Sequence, residues 1–259
     1  MNFIIFETWI AEIAPKWVKD LPMWLQDLLF DLYKTFVFDG RWRLFVDGIK
    51  ITFIVTIGAL LIGIVIGAAI AIVRTSHDNA TRKPNFFLRI INAICKLYLT
   101  VIRGTPMMVQ LLIMGFVIMI PKSETDTVIC GILTLGINSG AYIAEIVRSG
   151  IMSINPGQME AGRSLGFNYA QTMWHIILPQ AIKNILPALG NEMITLLKDT
   201  SLVSVIALRD VTMQTKNVAN LTYDVFVPYI ALALIYLVIV VALTKLLNIF
   251  ERRLRKSER

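Results

Sequence analysis

The chain has 259 residues, of which 56% are hydrophobic and only 17% charged, with a mean hydropathy of +0.67 and a formal net charge of +7. A soluble domain carries about a quarter charged residues. Here the stretches 51–73, 104–121, 127–144 and 225–244 contain no Asp, Glu, Lys or Arg. About 20 apolar residues cross a bilayer, so a soluble fold is excluded. The basic residues flank these stretches, as in cytoplasmic loops of membrane proteins, so no nucleic acid is expected as a partner.

Residues 1–40 form an N-terminal extension. MNFIIFETWIAEIAPKW lacks a basic start and places Glu7 and Glu12 where a leader's apolar core belongs, so no cleavable signal peptide is expected. Trp24, Leu25, Leu28, Leu29, Leu32, Tyr33, Phe36 and Val37 then recur at helical spacing, with Asp27, Asp31 and Lys34 on the other side. That is the pattern of an amphipathic helix lying along the membrane surface. In the first crossing, 51–73, Ala59, Gly63, Gly67 and Ala71 repeat every four residues. Such a stripe of small side chains lets another helix approach closely.

The linker RTSHDNATRKPNFFLR sets Arg74, Arg82, Lys83 and Arg89 against Asp78, a balance that faces the cytoplasm. His77 within it, like His175 later, reads as a surface residue. Beyond the linker Arg89, Asn92, Lys96, Thr100 and Arg103 share one helical face, and RGTP at 103–106 marks a break that bends a helix. A second crossing at 104–121 leads to PKSETDT, which is expected outside. A third, 127–144, holds Asn138 near its middle. Glu145, three residues before Arg148, reads as half of a helix-end ion pair. Cys95 and Cys130 sit in apolar surroundings without metal-ligand spacing, so neither a disulfide nor a metal site is expected.

The stretch QMEAGRSLGFNYAQTMWHIILPQA, 158–181, then falls inside. Pro156 opens a short helix and Gly166 closes it; a second short helix follows, limited by Pro179. Two short helices joined by a glycine turn make a docking knob. The tail ERRLRKSER is strongly basic and belongs inside as well. With only 225–244 left to cross, that tail would end up outside. A further crossing is therefore expected between 179 and 208, although Lys183, Glu192, Lys198 and Asp199 hide it from hydropathy. A helix so charged faces protein or water rather than lipid. The result is an all-α polytopic membrane protein with about five transmembrane helices, the N-terminus outside and the C-terminus cytoplasmic.

The knob resembles the cytoplasmic loop of permease subunits of ATP-binding-cassette importers, which reads Glu-Ala-Ala, three residues, Gly, nine residues, Ile-x-Leu-Pro. Glu160-Ala161-Gly162, Gly166 and Ile176-Ile177-Leu178-Pro179 follow that spacing. Gly162 replaces the second alanine and is expected to loosen the first short helix. RGTPMMVQ, NSGAYIAEIVRSGI, LPALGNEMITLLKDTSLVSVI and ERRLRK are similar to the polar amino acid transport branch, so the resemblance covers 41–259. It implies a type I importer permease fold in a bacterial cell membrane, surrounded by lipid. It also implies that Glu160, Ala161, Gly162, Gly166, Ile176, Leu178 and Pro179 form a loop coupled to separate ATPase subunits. A second permease, identical or related, an extracellular or periplasmic binding protein and an amino acid substrate are the other implied partners. No G-x-x-x-x-G-K-[ST] phosphate loop occurs, so ATP and magnesium are expected on the partner ATPase and no cofactor on this chain. Nor do Ser, His and Asp form a nucleophilic set, so the chain is read as a transport subunit rather than an enzyme.

Transporter sites lie near the bilayer midplane between helices. Asn138 and Glu192 fit by position, Glu192 roughly 16 Å beyond the start of its crossing at 1.5 Å per residue. A carboxylate at that depth needs a partner. A substrate ammonium is one; Lys198 or a helix of a second permease is another. The alternative to an ATP-driven importer is a self-sufficient secondary carrier or channel, for which the knob has no purpose.

Overall fold

The structure, a computed structural model, describes residues 6–78 and 84–256; Arg82 and Lys83 of the basic linker and 257–259 of the tail lie outside them. Among the described residues all regular structure is helical. In chain order come α1 (Met23–Leu32), α2 (Trp42–Asp78), α3 (Phe86–Gly104) and α4 (Met107–Ile113), the last extended by a wide π-type turn at Met114–Ile118. Then follow α5 (Glu124–Met152), α6 (Pro156–Ser164), α7 (Tyr169–Thr172) and α8 (Leu178–Asp199), and finally α9 (Val211–Thr222) and α10 (Phe226–Lys256). The contacts gather into two compact units, Met1–Ile51 with Arg209–Leu237 and Thr52–Leu208 with Val238–Arg259.

In the first unit, Trp9, Val18 and Phe30 form a buried cluster. Phe30 meets Phe6 edge-on at 5.1 Å and Trp9 at 5.4 Å. The apolar stripe is divided: Leu29 and Tyr33 pack on this cluster and Phe36 on that of Phe45, Val211 and Val218, while Trp24, Leu28, Leu32 and Val37 are exposed. Lys34 departs from expectation: on the polar side of the helix, it is nonetheless buried. Its ammonium sits 2.8 Å from Asp31 and 4.9 Å above the Phe30 ring. An ion pair and an aromatic face satisfy the charge, and the alkyl stem packs as a hydrophobe. The helix runs on to Val37, its last five residues, Tyr33–Val37, forming a wide π-type turn, and Asp39 then takes a left-handed conformation at φ 56°. In the same unit Asp210 caps α9, accepting from the backbone N–H of Met213 at 2.9 Å and of Thr212 at 3.1 Å. Burial pushes its carboxyl up to about 6, although those two bonds pull the other way.

The second unit is organised on α5, which begins at a capping box in which Ser123 and Asp126 exchange hydrogen bonds at 3.1 Å. The apolar window of α5 is 61% buried, against 28% for α2 and 11% for α10, so α5 is the central helix. The small stripe of α2 packs on it. A Cβ added at Gly67 would lie 2.8 Å from the backbone nitrogen of Ala144, and one at Gly136 would lie 2.8 Å from Ile62. Glycine permits that approach because it has no Cβ.

Among the described residues α2, α5 and α10 are long and apolar enough to cross a membrane, and α3 with the α4 segment passes as a pair bent by 104°. The run 104–121 is therefore not a straight crossing: it starts in the bend, and RGTP produces the break it predicts. Gln110 braces the bend, donating to the carbonyl of Ile102 at 2.8 Å and to Thr105 Oγ1 at 2.7 Å. Among the described residues α8 is not one of the helices apolar enough to cross by composition, but its 22 residues reach about 33 Å at 1.5 Å per residue, the length that the charge-parity crossing requires.

Candidate functional site

Two regions hold the candidate residues: the knob between α5 and α8, and a polar layer in the middle of the bundle.

In the knob, Asn155 caps α6 by accepting from Gly157 N–H at 2.8 Å, and Pro156 occupies the first turn, where its missing N–H has no intrahelical partner to lose. Gly166 ends this helix at φ 88°, with its N–H on the Arg163 carbonyl at 3.0 Å, while Phe167 N–H reaches Gly162 at 3.2 Å. Asn168 and Gln171 then form a second capping box. Pro179 does not limit the second short helix as expected. From α7 the chain passes through a wide turn at Met173–Ile177 directly into α8, and Pro179 sits in the first turn of α8. Proline is tolerated in a first turn, and the wide turn absorbs the change of register.

Gly162 is buried against α7 and the wide turn. A Cβ there would lie 2.5 Å from Thr172 Cγ2 and 3.0 Å from Ile176 Cδ1, so its lack of a side chain brings the two parts of the knob together. Glu160 and Ala161 are exposed, and Ile176 and Leu178 pack onto the cluster of Ile151, Ile177, Ala181 and Ile185 beneath the knob. Leu165, Phe167 and Trp174, unremarked in the sequence, are exposed on the knob. Beside them Pro156, Met159, Glu160, Tyr169 and Met173 line a cleft of about 240 Å³. An outward apolar surface on a firmly based projection suits docking to another protein.

In the polar layer, Asn138 and Glu192 are not brought to each other. Asn138 Nδ2 donates to Gln110 Oε1 at 2.9 Å, tying α5 to α4. Ser139 Oγ donates to Glu192 Oε1 at 2.8 Å, tying α5 to α8. Neighbouring residues on α5 thus serve two different helices. No ion pair joins Glu192 to Lys198 within 4.0 Å among the described residues. Gln110 and Ser139 are the members of this layer that sequence reasoning did not single out, although both lie in the quoted RGTPMMVQ and NSGAYIAEIVRSGI runs.

Glu145 pairs with Arg148 at 3.1 Å as expected, and it also accepts from Arg74 of α2. His77 contacts Asp78 at 3.3 Å, and His175 is exposed. Both cysteines are free and buried, and no group of three or more His, Cys, Asp or Glu that could hold a metal occurs among the described residues.

The family described as binding-protein-dependent transport system inner membrane component matches residues 63–256, a range that contains every candidate residue above. The chain is 37% identical over 221 residues to the probable glutamine ABC transporter permease protein GlnM of Bacillus subtilis (strain 168), covering 85% of this chain and 97% of GlnM. It is 35% identical over 213 residues to the arginine transport system permease protein ArtQ of the same strain, covering 82% and 93%. Among solved structures, an amino acid ABC transporter crystallised with histidines is similar at a TM-score of 0.73 and 43% identity, over 82% of this chain and 94% of that one. A multi-pass helical membrane protein with these relatives is a transport subunit, and the chain belongs to the family of inner membrane components of binding-protein-dependent transport systems.

Proposed function

We propose that the chain is a permease subunit of an ATP-driven importer of a polar amino acid in a bacterial cell membrane, with its N-terminus outside and its C-terminus in the cytoplasm. Two permeases, identical or related, enclose the path, and a binding protein delivers the amino acid from outside. ATP and magnesium are bound by separate ATPase subunits, which grip the knob of Glu160–Pro179. The observation that carries this reading is the knob itself. It is a projection with capped helices, a buried contact at Gly162 and exposed Leu165, Phe167 and Trp174. A self-sufficient carrier has no use for such a surface.

The relatives are named for glutamine and arginine, which supports a polar amino acid as cargo. Glu192, half-buried on α8, and Asn138 on α5 offer a carboxylate and an amide to it. Glu192 Oε1 is engaged by Ser139; a carboxylate has a second oxygen and further lone pairs with which to accept from a substrate ammonium. The described part of the N-terminal extension, residues 6–40, lies along the membrane surface with Trp24, Leu28, Leu32 and Val37 toward lipid; residues 1–5 lie outside the described residues. Reconstitution tests the reading: the chain is placed in liposomes with its ATPase and binding protein, and radiolabelled glutamine and arginine uptake is followed. Uptake of at least one is expected only with ATP on the ATPase side. Uptake by the chain alone down a gradient would replace the importer with a carrier.

A further inference from the structure

Three faces run along α3. Asn92, Cys95 and Leu99 are buried. Phe86, Phe87, Ile90, Ile94, Leu97 and Val101 form a second, apolar face whose members are 42% to 78% exposed. Arg89, Lys96, Thr100 and Arg103 form a third, exposed face beside it. Lys96, Thr100 and Arg103 open, together with Arg74 and Glu145, into a polar pocket of about 470 Å³ at the end of α3, just before the 104° bend.

The charges of this pocket do not balance. Three cationic side chains face one carboxylate, and Glu145 is already held by Arg74 and Arg148. Lys96 and Arg103 have no carboxylate within 4.0 Å among the described residues. Arg103 instead lies over the Tyr142 ring at 5.4 Å, which fixes its plane while leaving its N–H groups available. Thr100 spends its hydroxyl hydrogen on the Lys96 carbonyl at 2.9 Å, so the donors toward an anion are Lys96 and Arg103.

A pair of unneutralised cations beside an apolar stripe on one helix matches the two halves of a lipid, a charged phosphate and acyl chains. We propose that Lys96 and Arg103 hold the phosphate of an anionic phospholipid, whose acyl chains run along the stripe from Phe86 to Val101. The site depends on neither the orientation of the chain nor the identity of its cargo. A second copy of the chain or an amino acid carboxylate covering the pocket is the competing occupant.

The transporter, purified with its native subunits in neutral detergent, is titrated with phosphatidylglycerol or phosphatidylcholine, and bound lipid is counted by native mass spectrometry. Phosphatidylglycerol is expected to bind more tightly. Lys96→Gln and Arg103→Gln each weaken it about five-fold and the double variant about 25-fold, with phosphatidylcholine unaffected. Lys96→Arg keeps the charge and the affinity, and Lys122→Gln, two residues before α5 begins, leaves binding as in the parent. Unchanged phosphatidylglycerol binding in the double variant overturns the proposal. Competition by inorganic phosphate as effective as that by the lipid also overturns it, leaving a soluble anion in its place. Should a variant fail to assemble, the parent protein still decides: equal binding of the two lipids sinks the proposal.

Discussion

Replacing Gly162 by alanine sets two effects against each other. Within α6, alanine in place of glycine favours the helix by about 1 kcal/mol. Against it, the new Cβ would come within 2.5 Å of Thr172 Cγ2 and 3.0 Å of Ile176 Cδ1. Ile176 can swing aside at its tip. Thr172 cannot: it is fully buried, β-branched, and its Oγ1 donates to the Asn168 carbonyl at 3.0 Å. Overpacking of this kind costs about 1–3 kcal/mol, so the net expectation is a loss of about 1 kcal/mol where α6 meets α7. Local opening then becomes roughly five-fold more frequent. Hydrogen exchange on the assembled transporter should show α6 amides exchanging faster by about that factor, while exchange in α5 is unchanged and uptake falls. Slower exchange in α6 would mean that helix propensity outweighs the contact, and the packing role of Gly162 would be refuted.

Two further outcomes follow from the polar layer and from charge parity. Glu192→Gln keeps an oxygen for Ser139 but removes the charge, so apparent affinity for the amino acid should fall roughly ten- to hundred-fold, the value of a charge-assisted hydrogen bond. Assembly should be intact; unchanged affinity on the purified variant removes Glu192 as a substrate ligand. A cysteine at Ser123 should react with an impermeant thiol reagent from outside, and cysteines at Ser164 and at Ser257, the latter beyond the described residues, only after the membrane is opened. The native Cys95 and Cys130 are buried and should stay silent. External labelling at Ser257 would remove the α8 crossing.

What could be read in the sequence depended on the range of the physics involved. The Ala59–Ala71 stripe was legible because a four-residue repeat of small side chains defines a helix face locally, and that face does meet α5. The bend at 103–106 was legible because glycine and proline act on their own backbone. The proposed α8 crossing rests on charge bookkeeping over the whole chain, since the composition of α8 alone does not mark it as a span. Pro179 misled because a proline marks a helix boundary from sequence, yet in a first turn it interrupts nothing once a wide turn precedes it. Lys34 misled because, although Asp31 and the Phe30 ring lie within one helical turn of it, its burial depends on how the extension packs. The partners of Asn138 and Glu192 were out of reach for the same reason. They lie 28 and 53 residues away from Gln110 and Ser139 respectively, and only the register of three packed helices chooses them.

Coupling through the knob is tested most directly by measuring ATP hydrolysis and amino acid uptake together, in the same proteoliposomes, with Gly166→Trp. Gly166 sits at φ 88° with no atom within 4 Å of where a Cβ would stand. The indole therefore strains the turn by about 1 kcal/mol and projects into the space where an ATPase would dock, without disturbing the membrane helices. Normal insertion is expected, with uptake reduced to background and ATP hydrolysis either running without transport or lost with the ATPase. Uptake at the parent rate, with the parent ratio of ATP hydrolysed to amino acid moved, would contradict a knob that transmits the ATPase's work.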